Sequence, residues 1–208
     1  MKRTASSRAW LQRQASDCFV RQAQKEGYRC RAAYKLLELA QNCGFLREAH
    51  VVVDLGAAPG GWSQVLAQQC PRVPAPLLIA VDPLPFPPIA GVVSLCGKIE
   101  EESTALAIDA VLQGRKVDVV LSDMAPNTMG RASVDHLRSV SLVEAAYDFA
   151  CQHLASGGHF VAKLFLGGTE SSLVTSMKQH FRTVRYVKPQ ASRSESREIY
   201  LVSQGFRG

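Results

Sequence analysis

Two hydrophobic patterns alternate along the chain. In one, apolar residues run on with little interruption: Val51–Asp54, LLIAVD (77–82), VVSLC (92–96), VDVVLSD (117–123) and HFVAKLF (159–165) each read as a short strand buried on both faces. In the other, apolar positions return every three or four residues. RAAYKLLELAQNCG sets Ala33, Leu36, Leu37 and Ala40 on one helical face and stops at Gly44, and WSQVLAQQC, EESTALAIDAVLQG, SLVEAAYDFACQHLASGG and SSLVTSMKQHF read as helices in the same way. TVRYV and REIYLV finish as strands. Apolar strands separated by amphipathic helices predict an α/β fold with a mostly parallel sheet covered on both faces. One domain over 1–208 accounts for the length, since PRVPAP and PLPFPP read as proline-stiffened loops and not as linkers.

Composition narrows the class. The chain has 208 residues, 47% of them apolar and 20% charged, enough for a substantial core. No apolar run reaches the roughly 18 residues that span a bilayer, and MKRTASSRAWLQRQ lacks the apolar stretch of a secretory signal. A cytoplasmic protein is expected. The basic, Ser-containing start leaves mitochondrial import as the alternative. The six cysteines form no C-x-x-C pair and the histidines no H-x-x-x-H, so neither a metal site nor a disulfide framework is expected.

Charge is divided unevenly. Residues 1–35 carry nine Lys and Arg against Asp17 and Glu26, residues 178–208 carry seven against Glu195 and Glu198, and the stretch between them is net acidic. The N-terminal segment, about 1–35, reads as helical, with Ser16 as its cap, Phe19, Val20 and Ala23 as its apolar face and Gly27 as its stop. An ordered basic surface at the end of an acidic domain suits a polyanion, and nucleic acid is the expected partner. Basic ends that only aid solubility are the plainer alternative.

In a parallel sheet, ligands sit at the carboxyl ends of the strands. Asp54, Asp82, Asp123 and Lys163 occupy four such ends. The turn after the first strand, Gly56-Ala57-Ala58-Pro59-Gly60-Gly61, matches neither G-x-G-x-x-G nor a phosphate loop, and no lysine follows it for a triphosphate. Its glycines still allow close backbone approach, and Asp82 is placed for ribose hydroxyls. A nucleoside-like cofactor without a pyrophosphate fits, with S-adenosylmethionine the leading choice.

Five ordered motifs, RCRAAYKLLEL, DLGAAPGGWSQ, LSDMAPN, GGHFVAKLF and SREIYLV, closely resemble the FtsJ/RrmJ-type ribose 2′-O-methyltransferases of RNA, from about Ser6 to Val202. The resemblance implies a Rossmann-like, S-adenosylmethionine-dependent methyltransferase fold with a seven-stranded sheet. It also implies a Lys-Asp-Lys-Glu tetrad, filled here by Lys35, Asp123, Lys163 and Glu198. A ribose hydroxyl must lose its proton as it attacks a sulfonium methyl, and a lysine can take it if burial and a neighbouring cation favour its neutral form. Lys163 is the candidate base, Lys35 the neighbouring cation, Asp123 the group that positions Lys163, and Glu198 the group that holds the lysines in register. Lys35 paired with Glu38 on the surface and a water-exposed Glu198 are the plainer readings of those two residues.

For the cofactor, the resemblance places Gly60, Gly61 and Trp62 around the methionine portion, Asp82 on the ribose and Asp123 near the reacting centre; Trp62 as a packing residue is the alternative. One departure stands out: CGKIEEE puts Lys98 where the bacterial family has an aspartate near the adenine. The implied substrate is a uridine ribose in large-subunit ribosomal RNA, free or in the ribosomal subunit, modified by a monomer without metal or membrane. The same chemistry on tRNA, and a non-catalytic ribosome-assembly factor, are the rival readings.

Overall fold

A computed structural model describes residues 17–72, 75–168 and 170–208. Its sheet contains β1 (Val51–Leu55), β2 (Leu77–Asp82), β3 (Val92–Cys96), β4 (Val117–Ser122), β5 (Leu154–Phe165), β6 (Phe181–Val187) and β7 (Glu198–Phe206), in the order β3-β2-β1-β4-β5-β7-β6. β1 to β5 pair in parallel, while β7 inserts antiparallel between β5 and β6. Strand order reverses between β1 and β4, whose carboxyl ends lie side by side at Leu55 and Ser122. That is where an open α/β sheet leaves a crevice.

The alternation of side chains across each strand builds two cores. Val52, Leu78, Val119, Val161 and Tyr200 meet α2 (Ala32–Cys43) and α3 (Gly61–Gln69) on one face. Val53, Ile79, Val120, Phe160 and Leu201 meet α4 (Glu102–Leu112), α5 (Ala132–His153) and α6 (Ser171–His180) on the other. A strand flanked by helices on both sides needs apolar residues at consecutive positions, which is why VVVDL and LLIAVD read as unbroken runs. The remaining helix among the described residues, α1 (Cys18–Glu26), packs through Ala23 and Phe19 on Tyr34 and Ala191, in a small cluster of its own.

Four expectations change in detail. The cap of α1 is Asp17, whose Oδ1 accepts from Phe19 N and Val20 N; Ser16 lies outside the described residues, and Gly27 ends the helix in the left-handed conformation as expected. α5 begins at Ala132, nine residues before the expected start at Ser141, because its first turns bury polar side chains. Asp135 Oδ1 accepts from Met129 N, His136 Nδ1 bonds Phe165 O and Ser139 Oγ accepts from Phe165 N, so no apolar stripe marks them. The same helix stops at His153, and the LASGG segment joins β5 with a register shift opposite Val117 and Val119. β7 runs on to Phe206, since an inner strand flanked on both sides keeps its ladder through the polar Ser203 and Gln204.

Candidate active site

The carboxyl ends of β1, β2, β4 and β5 open into a cleft of about 810 Å³. Gly56 starts its floor: φ is +76°, and a Cβ there would lie 2.8 Å from the Met124 backbone, so only glycine brings the two strand ends this close. Asp82 ties the turn to the loop after β2, its Oδ2 accepting from Ala58 N at 2.9 Å and its Oδ1 from Leu84 N at 2.8 Å. Each carboxylate oxygen keeps a lone pair for a ligand hydroxyl.

Gly60, Gly61 and Trp62 stand at the start of α3, beside the residues that line the cleft and not among them. A Cβ on Gly60 would meet Arg29 Nη1 at 2.7 Å, and one on Gly61 would collide with Cys30 Sγ. Trp62 is buried, donates Nε1 to Ala32 O at 2.8 Å and packs on Tyr200. Arg29 holds this corner, donating to Pro59 O of the turn and to Pro87 O and Pro88 O of the loop that follows β2. Nothing in the sequence singles out Arg29 from the other cations of the N-terminal segment.

Beneath the turn, Asp54 is wholly buried. Ser63 Oγ donates to its Oδ2 at 2.7 Å, while Oδ1 has no partner. Burial, offset in part by the Ser63 bond and reinforced by the charges of Asp123 and Asp82, raises its pKa from 3.8 to about 7.

The tetrad forms two ion pairs. Lys163 Nζ lies 3.0 Å from Asp123 Oδ1 and donates to Asp123 O at 2.5 Å. Lys35 Nζ lies 2.6 Å from Glu198 Oε1, which also accepts from Ser192 Oγ at 2.7 Å. Glu198 is therefore neither a lone surface group nor on an edge strand, and Glu38 is engaged elsewhere, by Gln190 N. Tyr200 stands between the pairs. Antiparallel register sets it opposite Lys163, its hydroxyl donates to Asp123 Oδ1 at 2.8 Å, and Lys35 Nζ lies 5.9 Å from its ring centre. Burial first, then the charges of Asp123 and Glu198, raise the Tyr200 pKa well above 10, which keeps the hydroxyl a donor. Tyr200 was missed in the sequence because SREIYLV reads as an ordinary apolar strand.

The cleft fits a cationic nucleoside. Asp82 and Asp123 supply acceptors for hydroxyls and a positive centre, Leu84, Ile99, Pro126 and Leu142 supply apolar walls for a planar base, and Lys98 and Glu100 flank that end. Among the described residues, no group of three or more His, Cys, Asp or Glu is gathered closely enough to hold a metal ion. No helix there is long and apolar enough to cross a membrane. All six cysteines are free thiols.

A seven-stranded sheet of this order, with a glycine-rich turn after β1 and an acid closing β2, defines a methyltransferase of the Rossmann-like type. The model of the FtsJ-like methyltransferase family matches residues 28–206, and the chain belongs to that family. Among its relatives, the ribosomal RNA large subunit methyltransferase E of Sphingopyxis alaskensis is 49% identical over 100% of this chain and 88% of its own length. The protein of the same name from Novosphingobium aromaticivorans is 49% identical over 100% and 91%. A crystal structure described as a ribosomal RNA methyltransferase from Plasmodium falciparum superposes with a TM-score of 0.77 at 33% identity, covering 87% of this chain and 100% of that one. The protein is a methyltransferase, and its methyl donor is S-adenosylmethionine.

Proposed function

We propose that this enzyme methylates the 2′-oxygen of a uridine ribose in large-subunit ribosomal RNA, with Lys163 as general base. The observation that carries the chemistry is the Lys163–Asp123 pair that lines the cleft, with the Lys35–Glu198 pair behind it across Tyr200. The substrate is carried by the relatives, whose names specify the large ribosomal subunit. S-adenosylmethionine, when bound, supplies a methyl group on a sulfonium sulfur, which departs with the electron pair of the broken bond.

Every other part of the reaction falls to the chain. The Asp82 carboxylate takes the ribose hydroxyls of the cofactor, and the turn that Gly60 and Gly61 close, with Trp62 packed behind it, supports its amino-acid end. Lys163 accepts the proton of the substrate 2′-hydroxyl as that oxygen attacks the methyl carbon. Asp123 and Tyr200 fix where Nζ sits. Lys35, held by Glu198, orients the substrate ribose with its positive charge. The protein acts as a single-domain monomer in the cytoplasm, with its basic ends toward the RNA.

The test is methyl transfer from labelled S-adenosylmethionine to large ribosomal subunits, free large-subunit RNA and tRNA, followed by digestion to nucleosides. Label in 2′-O-methyluridine from subunits or their RNA is expected. Label in tRNA alone would move the substrate, and no label in any RNA would leave a binding factor.

A further inference from the structure

We propose that Asp17 is the tie that joins α1 and the segment 188–197, described parts of the two basic ends, into one RNA-docking face beside the tetrad, so that an acidic side chain strengthens the binding of a polyanion. This rests on RNA being the substrate, as proposed above.

Asp17 has two tasks. Its Oδ1 caps α1, while Oδ2 accepts from both Arg31 and Arg193, residues 14 and 176 positions away. Arg31 also donates to Ala191 O and lies over the Phe19 ring, 5.7 Å from its centre. Ala191 is buried with Ala23 and Tyr34, so the segment from Lys188 to Arg197 is fastened to α1 and α2 by charge and by packing. Its neighbours complete the joint: Gln190 N donates to Glu38, and Ser192 Oγ donates to the Glu198 oxygen that pairs with Lys35. An unbroken line of contacts thus runs from the cap of α1 to the catalytic ion pair.

The exposed cations of this joint are Arg21 and Lys25 on α1 and Lys188 and Arg197 on the fastened segment; they stand beside the exposed acids Glu26 and Glu195, and Lys188 also donates to Ser194 O and Ser196 O and Arg197 to Ala132 O. α1 has nine residues, too few to hold its shape alone, so where its cations stand depends on what it is tied to. Removing the Asp17 charge would leave Arg31, whose side chain is only 15% exposed, facing Arg193 with no anion between them. The joint would then rest on Arg31 to Ala191 O, Gln190 N to Glu38 and the packing of Ala191, and would loosen.

The sign of the effect distinguishes this from a simple count of charge. Deleting an acid from a basic surface should tighten phosphate binding if charges merely add. A tie predicts the opposite. Asp17→Asn and Asp17→Ser keep a good helix cap and lose the charge, whereas Asp17→Glu keeps the charge on a poorer cap.

Binding of the four proteins, wild type and three variants, to a transcribed large-subunit RNA fragment is measured by fluorescence anisotropy, with amide hydrogen exchange read at Gln190 and Ser192. The Asn and Ser variants should bind RNA roughly fivefold more weakly, exchange faster at those two amides and bind S-adenosylmethionine as before, while Asp17→Glu restores RNA binding. Equal or tighter RNA binding by the Asn and Ser variants, with unchanged exchange at Gln190 and Ser192, overturns the inference. So does weakening in all three variants alike, which would trace the effect to the cap. If the wild type leaves this RNA unmodified, the substrate assignment falls instead. The same comparison on whichever RNA it does methylate then decides the role of Asp17, and failure to bind any RNA overturns both.

Discussion

The two halves of the site are held together differently. On the cofactor side, the bonds are shorter in sequence: Ser63 to Asp54 spans nine residues, Ala58 N to Asp82 spans 24, and the longest, from Arg29 to Pro88 O, spans 59. On the side of the basic ends, side-chain charges reach across the chain: Gln190 to Glu38 spans 152 residues, Arg31 to Ala191 160 and Arg193 to Asp17 176. The first half is fixed once β1, β2 and β4 pair. The second exists only when the fold is complete, and it can be loosened without disturbing the first. Lys163–Asp123 and Tyr200 stand on the boundary, where the two substrates must meet.

The largest break should come from that boundary. Lys163→Ala is expected to lower the methyl-transfer rate by about a thousandfold, the range of a lost general base, while calorimetry finds S-adenosylmethionine affinity within about threefold of wild type. Activity within a few-fold of wild type would remove Lys163 from the role of base.

Next comes the foundation of the cofactor half. The folded-state pKa of Asp54, about 7, lies above its ordinary 3.8, so between those values the folded protein holds a proton that the unfolded chain has released. Stability from this group therefore falls as pH rises from about 4 to 7 and levels off above. Asp54→Asn should erase that slope and favour the folded state at pH 8 relative to pH 4 by up to about 4 kcal/mol compared with wild type. Urea unfolding of both proteins at the two pH values is the measurement, and parallel curves would refute it.

Tyr200→Phe probes the link between the halves. Losing one donor to an ionised carboxylate should cost roughly tenfold in kcat, with little change in KM for S-adenosylmethionine. A lowered melting temperature with unchanged kcat would make the hydroxyl a packing group only.

The smallest effect is confined to the cofactor half. Lys98 lines the cleft next to Glu100. Lys98→Asp should tighten S-adenosylmethionine by about 1 kcal/mol, one restored hydrogen bond, and leave RNA affinity alone. Calorimetric titration giving equal or weaker affinity would show that another group already serves the adenine.

The same contrast explains what the sequence revealed. β1, β2 and β4 with their terminal acids were legible because burial on both faces demands consecutive apolar residues, and the glycine turn because Gly56 admits no Cβ. The tetrad positions emerged through ordered motifs, together with the expectation that Asp123 positions Lys163 and Glu198 holds the lysines; the choice of Glu198 over Glu38 for Lys35 depends on where the segment at Ser192 folds back. The start of α5 was hidden by Asp135, His136 and Ser139, polar residues spent inward on backbone groups. Arg29 and Asp17 were hidden for a related reason. In sequence each is one more charge in a basic segment, and only their partners, Pro59, Pro87 and Pro88 for one and Arg31 and Arg193 for the other, distinguish them.

The central claim is that Lys163 takes the ribose proton at the moment of transfer, and the single-turnover rate as a function of pH tests it most directly. With enzyme in excess over RNA and saturating S-adenosylmethionine, the wild-type rate should climb about tenfold per pH unit on the acid side of the base's titration and then level off. Lys163→Ala should be slow and lack that step. A wild-type rate that stays flat from pH 6 to 10, with chemistry shown to be limiting by its independence of enzyme and cofactor concentration, would contradict the account.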